Sequence, residues 1–263
     1  DAAMISKVLA PETSKNGYSR PFAAALTSAS ALLGPILPPG IGLIIYGFVS
    51  DTSIGKLFMG GMGPGILCTI LLMVAVDYVA RKRGYKPTRP KMAGLGEIGR
   101  ASLKAFWGLM LMVLILGGIR YGVFTPTEAG AVTCIYALIV GFAYRETTWA
   151  DVKAALAESA RANGSIMLIL MASAGFAWVL TWEGIAAEVT ELLMGVSSNP
   201  TVFLAIVNFL LILVGMFLDG NAAIIVLTPL LMPTVNAMGI DPVHFGIMMI
   251  FNLSIGAITP PFG

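Results

Sequence analysis

Charge is the scarcest property of this chain. Only 11% of its 263 residues are Asp, Glu, Lys or Arg, 57% are hydrophobic, and the mean hydropathy is +0.87. A soluble domain of this length needs a charged surface over its core, and 16 basic plus 14 acidic residues are too few to make one. Histidine is nearly absent as well. His244 stands alone, while Cys68 and Cys134 fall in separate apolar stretches without Cys-x-x-Cys spacing. Transition-metal and disulfide readings therefore lack their ligands, and both thiols read as buried and inert. An intramembrane enzyme is excluded on similar grounds, because no nucleophile accompanies a base and no carboxylates are paired. The net charge of +2 argues against a nucleic-acid partner. There is no initiator Met and no signal peptide, and the chain opens on Asp1 inside what reads as a continuing element, as expected of a piece of a longer polypeptide.

What the sequence has in abundance is apolar stretches, at about 22–50, 64–80, 104–119, 128–144, 164–182, 201–218, 222–236 and 243–258. They predict an all-α polytopic membrane protein, since about 20 apolar residues cross roughly 30 Å of hydrocarbon as a helix. Orientation follows from the basic residues. The segment 81–104 holds Arg81, Lys82, Arg83, Lys86, Arg89, Lys91, Arg100 and Lys104 against Glu97 alone, so it should face the cytoplasm. Alternate threading puts Lys15, Arg20 and 145–163 on the same side. The acidic 183–200, with Glu183, Glu188 and Glu191 and no basic residue, then lies outside. The stretch "WADVKAALAESARA" at 149–162 mixes charge with Ala and Leu at helical spacing, and reads either as an amphipathic helix along the inner interface or as a solvated surface helix.

Several apolar stretches are interrupted by Gly and Pro. In lipid a broken helix survives only where protein or water covers the break. Two breaks match each other: laying Pro38-Pro39 over Pro260-Pro261 pairs Gly34 with Gly256 and Ile36 with Ile258. Upstream, "DAAMISKVLAP" from Asp1 overlays "DGNAAIIVLTP" from Asp219, in the same order and nearly the same register. The second copy reads as a hairpin, 201–218 and 222–236 around "MFLDGNA", followed by 243–258 and its break. The first reads as a returning arm at 2–14, then 22–33, a break at "GPILPP", and 41–50. By the topology above the copies are inverted, the architecture of secondary transporters with a site at the membrane midplane. Consecutive prolines free carbonyls that can hold sodium, and half-helix ends add partial charges of either sign. Gly34, Gly40, Gly256 and Gly263 let the chain turn there. A kinked helix without an ion is the plainer alternative.

The segments "GPILPPG", "GVFTPTEAGAV" at 122–132, "GMFLDGNAAIIVLTPLLMP" at 215–233 and "GIDPVHFGIMMIFNLSIGAITPPFG" at 239–263, taken in order, resemble the large membrane subunit of tripartite ATP-independent periplasmic (TRAP) transporters. The resemblance covers nearly the whole chain. It implies a multi-pass protein of the bacterial inner membrane and an elevator fold of inverted repeats, re-entrant hairpins and broken helices. The implied activity is sodium-coupled import of organic acids, such as C4-dicarboxylates or sialic acid. Implied partners are a small membrane subunit, a periplasmic substrate-binding protein, the substrate and the bilayer, with Na+ as coupling ion and no other cofactor. The implied division is 1–62 (end of the first hairpin and first broken helix), 63–200 (helices around the basic loop) and 201–263 (second hairpin and broken helix). Sodium sites carry over to Gly34, Pro35, Leu37 and Pro38 at the first break, whose hairpin tip would precede Asp1. At the second they carry over to Asp219, Gly220 and Asn221 at the tip, with Gly256, Ile258, Thr259 and Pro260 at the break.

Plainer roles compete at several of these positions. Asp219 either helps hold an ion at the tip or simply caps 222–236. Thr125, Pro126, Thr127 and Glu128 read first as a helix start. Asn252 and Ser254 fit either substrate contact or polar bonding between helices. Trp107, Trp149, Trp178 and Trp182 fit interfacial belts. A standalone sodium–dicarboxylate symporter with similar hairpins is the nearest rival function. An ion channel is more distant, because an inverted repeat within one chain favours alternating access over a subunit-symmetric pore.

Overall fold

The computed structural model describes residues 18–85, 94–196 and 199–261, and every regular element among them is an α-helix. The returning arm expected at 2–14, together with Lys15, Lys86, Arg89, Lys91 and Gly263, lies outside the described residues. The first apolar stretch folds as α1 (Arg20–Ala31), α2 (Leu33–Ile36) and α3 (Ile41–Val49). Pro35 explains the interruption at Leu32: it has no N–H for the Ala31 carbonyl four residues back, and its ring crowds that oxygen. Pro38-Pro39 explains the wider break at 37–40. Ser53 then caps α4 (Ile54–Lys82), its hydroxyl accepting the Lys56 N–H at 3.4 Å.

Two helices follow at a sharp angle, α5 (Leu95–Lys104) and α6 (Phe106–Arg120), bent 72° from one another. Next come α7 (Pro126–Ala143), α8 (Trp149–Trp182), α9 (Ile185–Val196), α10 (Pro200–Gly215), α11 (Gly220–Ala237) and α12 (Pro242–Ala257). At α7 the helix-start reading holds. Thr125 and Glu128 form a reciprocal capping box, with the Thr125 N–H donating to Glu128 Oε2 at 2.8 Å. Pro also opens α10 and α12, where a first-turn residue has no helical acceptor for its N–H in any case.

Five of these spans are long and apolar enough to cross a membrane, and six if α5 and α6 count as one bent span. With Leu67, Leu71, Val74, Leu109, Val113, Ile135 and Ile139 all exposed, a surface that water would drive to aggregate, the chain is a multi-pass membrane protein. α10 and α12, at 16 residues each, reach only about 24 Å and fall short of a full crossing.

Several expectations are corrected. The stretch 149–162 is not a separate helix along the interface; it is the first part of α8, a single helix of 34 residues. Neither its charges nor the helix-ending residue types Asn163, Gly164 and Ser165 that follow stop the helix, which continues through them into its apolar part. The strongly amphipathic short helix is instead α5, inside the segment read as a basic loop. There Glu97, Arg100 and Lys104 share one face, and Leu95, Ile98 and Leu103 fall on the opposite arc. Cys134 is exposed and Cys68 half-buried, so neither thiol is a core residue.

The chain forms two compact units, residues 1–88 with 173–263, and residues 89–172. In the second, α6 packs on α7, and the Tyr136 hydroxyl donates to the Trp107 carbonyl at 2.8 Å. In the first, α12 is the central element, packing on α10, α11, α4, α2 and α3. Its core holds Tyr46, Phe203, Leu211, Phe245, Met249, Ile250 and Leu253, each almost completely buried. Tyr46 ties α3 to the start of α12: its hydroxyl donates to the Pro242 carbonyl at 2.8 Å, and its ring lies where a Cβ at Gly246 would be.

Candidate functional site

The two Pro-Pro pairs act first on the backbone. Pro38 and Pro39 stand where the helical donors for the Gly34 and Pro35 carbonyls would be, and Pro260 and Pro261 where those for Gly256 and Ala257 would be. At the second break the chain tightens into a turn. The Thr259 N–H donates to the Gly256 carbonyl at 2.9 Å, and the Thr259 hydroxyl to the Ile255 carbonyl at 2.8 Å, which leaves the Ala257 carbonyl without a helical donor. At the first break the chain doubles back so closely that a Cβ on Gly40 would collide with the Pro35 carbonyl. Both Pro-Pro peptides are cis.

Small residues on neighbouring helices receive these breaks. A Cβ on Gly61 of α4 would meet the Ile36 carbonyl at 2.7 Å, and one on Gly65 the Leu37 side chain at 2.6 Å. At the second break a Cβ on Gly256 would sit 2.6 Å from the Ile212 carbonyl and 2.7 Å from Gly215, so α10 and α12 touch backbone to backbone there. Gly215, Gly61 and Gly65 were not among the expected site residues, although the cluster Gly60, Gly61, Gly63 and Gly65 is a legible signal of close approach in α4.

Between the breaks lies a cavity of about 290 Å³, near the lower end for small-molecule sites. Its walls come from three places: Ala31, Leu32 and Pro35 at the end of α1 and in α2; Asp219, Gly220 and Asn221 at the α10–α11 turn; and Ser254, Ala257 and Ile258 at the end of α12. Gly42, Ile224, Ile250 and Leu253 make the apolar remainder. Five expected residues, Pro35, Asp219, Gly220, Asn221 and Ile258, thus share one cavity. The turn expected to serve the second break also faces the first. The other six do not line it: Gly34 and Pro260 are exposed, Pro38 is buried, Leu37 packs on Gly65, Gly256 on Gly215, and Thr259 bonds back to its own helix.

Polar groups in the cavity are few. Asp219 is the one charged side chain lining it among the described residues. Its Oδ1 accepts the N–H groups of Asn221 at 3.0 Å and Ala222 at 3.3 Å, so it caps α11, with both of these bonds on the same carboxylate oxygen. The Ser254 hydroxyl donates to the Ile250 carbonyl at 2.7 Å, which leaves its oxygen able to accept a donor or meet a cation. Asn252 does not reach the cavity. It is buried between α12 and α10, donating to Asn208 Oδ1 and, at 2.8 Å, to the Met248 carbonyl, so it bonds helices together. The cavity thus brings one carboxylate, one hydroxyl, the start of α11 and the end of α12 to a small, mostly apolar space.

The whole chain, residues 1–263, matches the family model described as "Tripartite ATP-independent periplasmic transporter, DctM component". The chain belongs to that family. Among its relatives, the sialic acid TRAP transporter large permease protein SiaM of Vibrio cholerae is 42% identical over 94% of this chain and 57% of its own length. The C4-dicarboxylate TRAP transporter large permease protein DctM of Pseudomonas aeruginosa is 39% identical over 95% of this chain and 58% of its own. The 2,3-diketo-L-gulonate TRAP transporter large permease protein YiaN of Escherichia coli K12 is 37% identical over 100% and 62%. The chain therefore spans about three-fifths of the length of these curated relatives. They are transport permeases, and the family is not one of enzymes.

Proposed function

We propose that this chain is the part of a TRAP large permease that carries its second hairpin and both helix breaks, and that the complete protein imports a small organic acid by sodium coupling across the bacterial inner membrane. The three relatives reported above are named for sialic acid, C4-dicarboxylate and diketogulonate transport, each a carboxylate, and a carboxylate is the substrate class proposed here. The observation that carries the reading is the composition of the cavity: Asp219, the break residues Pro35 and Ala257, and no lining Lys or Arg among the described residues. An anion brought beside a carboxylate at membrane depth needs a cation to offset the repulsion, and the cavity's own side chains supply none. Sodium held by the carbonyls near Pro35 and Ala257 and by Asp219 would meet that need, so ion binding and anion binding become thermodynamically coupled.

On this reading the two broken stretches are inverted repeats of one transport unit, which moves as an elevator against the remaining helices. A small membrane subunit accompanies the permease, and a periplasmic binding protein selects and delivers the acid. The test is uptake into proteoliposomes holding the full-length complex, with and without an inward sodium gradient and with and without the binding protein. Uptake that requires both is expected. Sodium-driven uptake without the binding protein would assign a standalone symporter, and uptake indifferent to sodium would leave the Pro-Pro breaks as structural kinks.

A further inference from the structure

A second concavity, about 690 Å³ and remote from Asp219 in sequence and lining, runs between α1 and the second half of α4. Its walls are apolar along most of their length, with Leu26 and Leu33 on one side and Leu72 and Val76 on the other. At one end the character changes. Tyr18 and Tyr85 close it with ring centroids 4.6 Å apart, and Arg81 lines it beside Asp77, to which its Nε is bonded at 2.8 Å. Arg83 lies over the Phe22 ring at 5.5 Å and reaches the Ser19 hydroxyl at 3.5 Å, and the Tyr85 hydroxyl donates to the same Ser19 oxygen at 3.0 Å. Asp77 offsets Arg81, while Arg20, Lys82 and Arg83 form no ion pair among the described residues, so this end is cationic.

The dimensions match one leaflet. From Thr69 to Ala80 along α4 the rise is about 16 Å, half of the roughly 30 Å hydrocarbon thickness, and the Tyr and Arg residues begin where the headgroup layer would. We propose that this groove holds one anionic glycerophospholipid of the basic-side leaflet, with an acyl chain between α1 and α4 and its phosphate among Arg81, Arg83 and the Tyr85 hydroxyl. Charge complementarity favours a phospholipid, whose phosphate meets the guanidinium groups while its acyl chain follows the apolar walls, over an apolar helix of another polypeptide. Apolar walls of leaflet length select it over a free anion.

The test uses the full-length permease with its small subunit, carrying a photo-crosslinking benzoylphenylalanine at Met73, which lines the groove, in vesicles of mixed phosphatidylglycerol and phosphatidylcholine. Mass spectrometry should find a phospholipid adduct enriched in phosphatidylglycerol over the bulk composition. Arg83→Gln and Arg81→Gln should each lower that enrichment about fivefold, Arg81→Gln serving as the variant that leaves the Ser19 and Phe22 contacts intact. Lys153→Gln, on α8, should leave it unchanged. Adducts that follow bulk composition in every variant would overturn the proposal. So would a cross-link to a polypeptide, whether a second copy, the small subunit or this chain's own residues, and so would displacement of the lipid by inorganic phosphate alone.

Discussion

Asp219 is where capping and ion binding can be separated. Its Oδ1 accepts two backbone N–H groups, at 3.0 and 3.3 Å, at the start of α11. Replacing it by alanine removes both the cap and the charge, so a defect in Asp219→Ala would not distinguish them. Asparagine at an N-cap is about as good as aspartate, whereas alanine costs about 1 kcal/mol. Asp219→Asn should therefore unfold within a few tenths of a kcal/mol of the parent, and Asp219→Ala about 1 kcal/mol earlier. The charge has a different scale. A unit charge about 4 Å from a sodium ion contributes roughly 1 kcal/mol in bulk water and roughly 4 kcal/mol near a protein surface. The loss in sodium affinity should thus lie between about fivefold and several hundredfold, with 1.4 kcal/mol per factor of ten. The assay is proteoliposome uptake by the complete complex against external sodium, read as the half-saturating concentration beside thermal unfolding of the same preparation. Asp219→Asn should raise that concentration at least fivefold with little change in stability. If it transports with an unchanged sodium response while Asp219→Ala is merely less stable, the carboxylate is a cap and the proposed coupling loses its only charged ligand.

Gly256→Ala puts a Cβ 2.6 Å from the Ile212 carbonyl and 2.7 Å from Gly215. Overpacking of about 1–3 kcal/mol should outweigh the gain of up to about 1 kcal/mol in helix propensity, and an unchanged or raised melting temperature in detergent would show that α10 and α12 can part without penalty. Tyr46→Phe keeps the buried ring but removes the hydroxyl's bond to the Pro242 carbonyl, which keeps its place in the helical ladder. A loss of about 0.5–1.5 kcal/mol is expected in thermal unfolding, and no change would mean that water replaces the hydroxyl. A cysteine at Ser102, on α5, should resist an impermeant thiol reagent in intact cells and react after permeabilisation; labelling from outside would reverse the topology drawn from the basic residues.

The helix breaks were legible because a break is a local property. Proline's missing N–H acts on the carbonyl four residues back whatever surrounds it, so interruption at 37–40 and after Ala257 follows from Pro38-Pro39 and Pro260-Pro261 alone. The cap at Thr125 and Glu128 was legible for the same reason. The stretch 149–162 misled because its charge pattern is also local, but its fate is not. Asn163 and Gly164 are residues that often end a helix, yet α8 runs through them, as propagation of an established helix adds a hydrogen bond for each residue fixed. The role of Asn252 was undecidable from sequence, since its partner Asn208 lies on another helix and the same carboxamide suits a ligand equally well.

By itself, the sequence determined that this is a helical membrane chain, where its helices stop, and which family it resembles. Composition, proline and capping chemistry act at short range and need no partner. Only the tertiary structure decided that the α10–α11 turn faces both the α1–α2 end and the end of α12 around one cavity. It also decided that Gly256 is spent on contact with Gly215, and that Leu37 lies against Gly65. Such pairings depend on how helices cross, and crossing is set by the collective fit of side chains far apart in the chain, which no local pattern encodes.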